Sequence, residues 1–279
     1  MVKCDWLQEK DMNMVLTDDV DSVIAANLLQ QELGWKVSHF YDFNKLLVSP
    51  HMFYGDEDKL VGIDLTLAGQ KKTIDNHVFR WHGEHDYNKQ CINFNSHIKA
   101  MYNYTNKCLF NTVLHCYYLL GKKLPSNNVG KAILLLIDST YYGWIKKDFR
   151  SRLVQYLEEY GFTELIDILN KVTPEQWKQL EDYFKIKRKI KLDDRLKFID
   201  VYSIEEFGFK YKKIFDYLEL KEELELPTYF ELDKKMRTCH VQGDNLAWIL
   251  NLDNLYSYSI VRKRECKYSV IFCDEQKAV

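Results

Sequence analysis

Proline and glycine are scarce in this chain: 4 and 11 of 279 residues. That scarcity excludes collagen-like and low-complexity architectures and argues against long disordered linkers. No apolar run approaches the roughly 18–20 residues that a membrane-spanning helix needs, so no membrane partner is expected. CxxC spacing is missing as well. The seven cysteines (Cys4, Cys91, Cys108, Cys116, Cys239, Cys266, Cys273) are scattered and odd in number. They read as free thiols in a reducing compartment, not as a disulfide frame or a zinc site. Nor is there an excess of charge: 39 Lys+Arg against 41 Asp+Glu leaves −2 at neutral pH. A clamp for long duplex nucleic acid needs a net basic surface, which this chain lacks. Met1 opens a polar segment without a secretory leader, so a cytoplasmic location is expected. GxxxxGK[ST], GxGxxG and GxSxG do not occur, which leaves P-loop, Rossmann-fingerprint and serine-hydrolase readings without support.

What is present, 46% hydrophobic and 29% charged residues, suits a soluble globular protein of one large domain or two. Met12 to Leu16 is a short apolar run that ends abruptly at Thr17-Asp18-Asp19-Val20-Asp21-Ser22. Val23 to Leu33 follows at helical spacing, with Ser22 or Asp21 as N-cap and Gly34 as stop. Trp35 to Tyr41 alternates like a strand. Strand, helix and strand in this order form a βαβ unit, which implies a parallel sheet. Leu60 to Ile63 and Lys72 to Ile74 are two more strand candidates. Ile133 to Ile137 is aliphatic enough to be a strand or a buried helix. Helical patterns cover Asn106–Leu120, Lys147–Tyr160 and Thr163–Val172, and a capping box starts another at Thr173-Pro174-Glu175-Gln176.

Lys185 to Lys191 is the densest basic run, either a solvated helix face joining two domains or a track for substrate phosphates. Beyond it, Phe198–Tyr202, Ala247–Asn251, Ser257–Val261 and Tyr268–Phe272 read as strands, and Gly243 to Ala247 could open a helix. The fold class expected is therefore α/β. A parallel-sheet domain with flanking helices spans 1–184, a helical linker 185–200, and a smaller α/β domain 201–279.

The chemistry lies in the run ends. Asp19 and Asp21, then Asp64, then Asp75-Asn76-His77, and finally Asp138 each follow a strand-like run. In an open parallel sheet, ligands bind beyond the carboxyl ends of the strands. Carboxylates gathered there repel one another, and divalent cations are the remedy. Oxygen donors with one imidazole favour Mn²⁺ or Mg²⁺ over zinc. Asp18 reads as a solvated turn carboxylate, and His77, His82 and His85 are too irregularly spaced to form a metal box.

In their order and spacing these residues resemble the DHH phosphoesterase superfamily, which includes RecJ-type exonucleases, nano-RNases and family II pyrophosphatases. Thr17 to Ser22 is similar to its first motif, Gly62-Ile63-Asp64 to its second, Asp75-Asn76-His77 to the DHH signature, and Ile137-Asp138-Ser139-Thr140 to its fourth. The similarity covers about residues 10–170. It implies that Asp19 and Asp21 each hold one of two Mn²⁺ (or Mg²⁺) ions, that Asp64 bridges them, and that Asp138 completes a site. His77 stands as a ligand or a phosphate contact, and Asp75, Asn76 and His77 as the catalytic signature.

The chain departs from the family at three places. Thr17 stands where a histidine is frequent, Asn76 replaces the first signature histidine, and no glycine-rich His loop precedes Val279. Arg262, Lys263 and Arg264 are the substitute substrate-binding residues, unless they form only a solvated hairpin turn. The function expected is a metal-dependent phosphodiesterase. It would hydrolyse short single-stranded oligonucleotides or linear and cyclic dinucleotides with a water activated by two metals, at reduced activity if Asn76 binds weakly. A phosphoanhydride hydrolase and a non-catalytic nucleotide-binding relative are the alternatives. A homodimer is compatible with this reading.

Overall fold

The computed structural model describes residues 5–51, 55–82, 87–190, 212–221 and 224–272. The described chain is mixed α/β, built on one sheet of nine strands. In chain order its first elements are β1 (Asn13–Thr17), α1 (Val20–Leu33), β2 (Lys36–Tyr41), β3 (Lys45–Val48), β4 (Leu60–Ile63), β5 (Lys72–Ile74) and β6 (Cys91–Ile92). The helices that follow are α2 (Ala100–Asn103), α3 (Thr112–Leu119), α4 (Asn128–Leu136), α5 (Tyr142–Ile145), α6 (Lys147–Glu159), α7 (Glu164–Lys171) and α8 (Pro174–Phe184). After them come β7 (Glu231–Gln242), β8 (Leu255–Arg262) and β9 (Glu265–Ile271).

The strand order is β6-β5-β4-β1-β2-β3-β7-β9-β8. β6, β5, β4, β1 and β2 run parallel to their neighbours, whereas β2–β3, β3–β7, β7–β9 and β9–β8 are antiparallel. β1-α1-β2 is the βαβ unit read from the sequence. The N-cap of α1 is Asp19, not the expected Ser22 or Asp21, which lie in the first turn; the Asp19 side chain accepts from the Ser22 amide, and Gly34 (φ +73°) closes the helix by donating to the Gln30 carbonyl. The left-handed backbone at Gly34 is one that side chains resist. Every residue of α1 from Val20 to Leu29 is buried, so the helix lies inside the molecule, in contact with α3 as well as the sheet. α8 begins with the capping box at Thr173 and Gln176.

The structure decides one open reading and changes others. Ile133 to Ile137 is no strand: the Asn127 side chain caps α4 by accepting from the Gly130 amide, and the aliphatic run continues that helix. Burial on all faces had hidden its helical period. Ala247–Asn251 is a 3-10 helix, with Leu246 and Ile249 turned into the core. The helical pattern at Asn106–Leu120 yields an α-helix only from Thr112, because the Asn111 side chain caps it there. Residues 185–190, expected to begin a helical linker, form turns and irregular chain instead. Residues 191–200 of the expected linker and the run Phe198–Tyr202 lie outside the described residues. β3, β6 and β7 are strands the sequence reading did not separate. No helix of the described residues is long and apolar enough to cross a membrane.

Candidate metal centre

Parallel strands deliver their carboxyl ends to one edge of a sheet. β1, β4 and β5 each hand the chain to an acid there: Asp18 and Asp19, Asp64, and Asp75. β1 continues to β2 on one side while its other neighbour, β4, continues to β5 on the opposite side, so a crevice opens at the carboxyl ends of β1 and β4. The fourth acid, Asp138, arrives from the end of α4 instead of from a strand.

Asp21 is buried in the first turn of α1. Its two oxygens accept from the backbone amides of Thr112 (2.8 Å) and Val113 (2.9 Å), at the N-terminus of α3. A helix N-terminus favours an anion. Thr112 also donates its hydroxyl to Asp64 at 2.8 Å and thereby ties two acids from different elements together. Asp64 has φ +57°, and its amide donates to the Ile74 carbonyl. Gly62 precedes it where a Cβ would lie 2.8 Å from the Leu65 carbonyl oxygen, so the turn after β4 closes on bare backbone. Asp138 (φ +51°) and Ser139 (φ +55°) are left-handed as well. Two of the acids thus sit on backbone that ordinary residues avoid, a form of strain concentrated at functional sites. The Asn111 amide, donating to the carbonyls of Leu134 (2.6 Å) and Ile137 (3.0 Å), holds this bend.

The signature triplet is pinned on both sides. Asp75 is fully buried, accepts from the Thr66 hydroxyl, and pairs with Nδ1 of His77 at 2.8 Å. Asn76 donates to Asp138 at 2.7 Å, while its own side-chain carbonyl oxygen is buried without a partner. Asn95 and Asn93 donate to the main-chain carbonyls of Asn76 (2.7 Å) and His77 (2.8 Å).

The side chains form two sets whose ligand atoms all lie within 4.8 Å of one another: Asp21, Asp64 and Asp138, and Asp64, Asp75 and His77. Asp64 belongs to both. Asp19 belongs to neither; it accepts from the Ser22 amide at 3.2 Å and pairs with Lys189 at 3.4 Å. Asp18, expected to be a solvated turn carboxylate, pairs with the same lysine at 2.8 Å. Although burial opposes the charge, Asp19 and Asp18 hold the Lys189 ammonium above its usual pKa.

Crowding sets the electrostatics. Burial first, then Asp19, Asp21 and Asp138, pushes the Asp64 pKa well above the usual carboxylate range. Burial, Asp138 and Asp19 do the same to Asp21 despite the two amides. Asp138 is the most open of the acids, yet lost hydration and the facing Asp19 raise its pKa too. Asp75 goes the other way: burial opposes ionisation, but His77 and the Thr66 hydroxyl hold it below the usual range. His77 is raised in return by Asp75 against its own burial.

A cavity of about 550 Å³ opens beside Asn76, His77 and Asp138. Lys107, Lys146 and Arg262 contribute cations to its wall, and Tyr104, Tyr142 and Phe149 contribute rings. Burial lowers the Lys107 pKa, opposed by Asp138. Of the three C-terminal basic residues, only Arg262 reaches this wall, and it pairs with Glu265 at 3.1 Å. Lys263 lies in the β8–β9 turn, and Arg264 pairs with Asp244 at 2.8 Å. The grip expected of all three residues is thus reduced to one. A separate cavity of about 590 Å³, walled by Arg152, Tyr156 and Tyr160 among others, touches none of the clustered acids.

Sequence reasoning missed Thr112, Asn111, Asn93 and Asn95, of which only Asn111-Thr112 carried a local signal, as a cap ahead of an apolar helical run; Lys189 stood in the basic run singled out from the sequence, but its pairing with Asp18 and Asp19 was not foreseen. Comparison of the chain with protein-family models, with curated proteins and with solved structures gives no match.

Proposed function

We propose that this chain is a metal-dependent phosphodiesterase of the DHH type, hydrolysing short single-stranded oligonucleotides or linear and cyclic dinucleotides. The observation that carries the reading is Asp64, one carboxylate shared by two compact donor sets. The residues fit divalent cations on three counts. Buried acids of raised pKa lack the counter-charge that would ionise them. The donors are carboxylate oxygens with one imidazole, which suits Mn²⁺ or Mg²⁺. Finally, the Asn76 carbonyl oxygen is buried and unpartnered beside Asp138, where it offers a further hard ligand.

Asp21, Asp64 and Asp138 would hold one ion, and Asp64, Asp75 and His77 the other. Bound there, such ions supply Lewis acidity and an activated water for phosphoryl transfer. The chain's own residues do the positioning. Asp75 pairs with Nδ1 of His77, which fixes the ring beside the donor set. Thr112 holds Asp64 and Asp21 in register. Lys107, Lys146 and Arg262 draw phosphate into the adjoining cavity, whose rings can stack a base. In this reading residues 1–184 form the catalytic domain, and the C-terminal strands bring Arg262 to the cavity wall as the substrate-binding portion.

Release of 5′-mononucleotides from short oligomers in Mn²⁺, abolished by Asp64→Asn, is the expected result. Failure to turn over oligonucleotides, cyclic dinucleotides or pyrophosphate would remove the reading. The Asn76–Asp138 hydrogen bond favours a second reading, a nucleotide-binding relative without turnover, because an amide stands where the resemblance expects imidazole. Tight nucleotide binding without hydrolysis in Mn²⁺ would select it.

A further inference from the structure

The basic run from Lys185 to Lys191 has no part in the reaction proposed above. Its described portion leaves α8 through Lys185, which is left-handed at φ +52°. Ile186 and Ile190 bury their side chains in the main core, and the Ile190 amide donates to the Asp18 carbonyl at 2.7 Å. The backbone is thus fastened to the turn between β1 and α1. With the isoleucines inside, the lysines face outward. Lys187 pairs with Glu181 at 3.0 Å, and Lys189 reaches Asp18 at 2.8 Å and Asp19 at 3.4 Å. A second ammonium stands at the same lip: Lys267 lies 3.5 Å from the centre of the Phe43 ring, and Lys189 lies 5.9 Å from it.

We infer that Lys189 is a built-in counter-ion of the acidic cluster that keeps Asp19 out of the donor sets, so that an incoming divalent cation must displace the ammonium before Asp19 can join them, and this lysine selects which cations load the site. The inference rests on the metal-binding reading above. Asp19 is the acid left out of both compact donor sets, and it is the one whose free oxygen faces an ammonium. A monovalent ion arriving there brings no more charge than the lysine it would replace. A divalent ion doubles the charge on the same oxygens, and the Coulomb energy scales with it. Lys189 therefore bars Na⁺ and K⁺ and yields to Mn²⁺ or Mg²⁺.

The exchange needs only a side-chain movement. Ile186 and Ile190 hold the backbone, and the Lys189 side chain is half exposed. Once released, the ammonium stays tethered beside Lys267, where a substrate phosphate offers it a new charge-assisted partner.

Calorimetric titration of Mn²⁺ into the metal-stripped full chain tests this. Lys189→Met should bind Mn²⁺ at least about threefold tighter than the parent protein, a conservative figure for a part-exposed ion pair. Lys189→Gln should match it, and Lys189→Arg should stay near the parent value. Added KCl should weaken Mn²⁺ binding more in Lys189→Met than in the parent. Unchanged or weaker Mn²⁺ binding in folded Lys189→Met and Lys189→Gln would overturn the inference, as would failure of all the proteins to bind Mn²⁺. Tighter binding in the variants without turnover of any phosphoester would support the inference while removing the phosphodiesterase reading.

Discussion

Asp64 shows how one side chain can be both liability and purpose. It is buried, left-handed, bonded to Thr112 and surrounded by four other acids. Without cations, keeping it ionised is unfavourable, so Asp64→Asn should stabilise the metal-stripped protein by about 1–2 kcal/mol, since the amide retains an acceptor for the Thr112 hydroxyl. Asp64 and Asp21 have raised pKa values in the fold. Their favourable contribution is complete below the unfolded carboxylate value and disappears as pH rises through the raised values. His77, also raised, loses its contribution in the same direction. Asp75 is depressed and loses its contribution only as pH falls into the acid range. The melting temperature in EDTA should therefore fall from about pH 5 to pH 8, less steeply in Asp64→Asn, and Mn²⁺ should remove the fall. A metal-stripped protein that becomes steadily more stable across that interval would contradict this electrostatic account. At this scale the acids were legible because each follows an apolar run. Thr112, Asn93 and Asn95 were not, since each acts on residues far away along the chain.

Among the elements, α3 depends most visibly on a residue outside itself. Its first amides end on Asp21, which lies on α1. From the sequence alone, relief of repulsion would leave an Asp21→Ala variant with its fold intact. The structure adds a cost, because truncation strands two buried amides, each worth about 1–3 kcal/mol when left unsatisfied. Asp21→Ala should therefore lose about 1–2 kcal/mol net in urea unfolding without metal, even after the repulsion is relieved. Asp64→Asn should shift the opposite way in the same experiment. Stabilisation of both would mean that Asp21 does not anchor α3. α8 and the end of α1 were legible because their caps are written in adjacent residues, Thr173 with Gln176 and Gly34; the start of α1 was misplaced because Asp18, Asp19, Asp21 and Ser22 all offer capping oxygens. α4 was ambiguous because an aliphatic run buried on every side has no amphipathic period to read.

Across the whole molecule, the parallel half of the sheet was foreseeable apart from the two-residue β6, and the antiparallel half only in part. β7 is polar and largely exposed, so it lacks the alternation that marks β8 and β9. Its pairing with β3 continues one sheet from β6 to β8, a long-range contact that no local pattern encodes. That continuity carries Arg262 to the cavity beside His77, while the order reversal at β1 places the acids at a single crevice. The arrangement makes Asp64 the hinge of the proposed metal chemistry, and stoichiometry is where this shows. Mn²⁺ titrated into the full chain and read by calorimetry should give two ions per protein, both lost in Asp64→Asn and only one in Asp138→Asn. A parent protein that binds one ion or none, or an Asp64→Asn variant that still binds two, would contradict the shared-carboxylate centre.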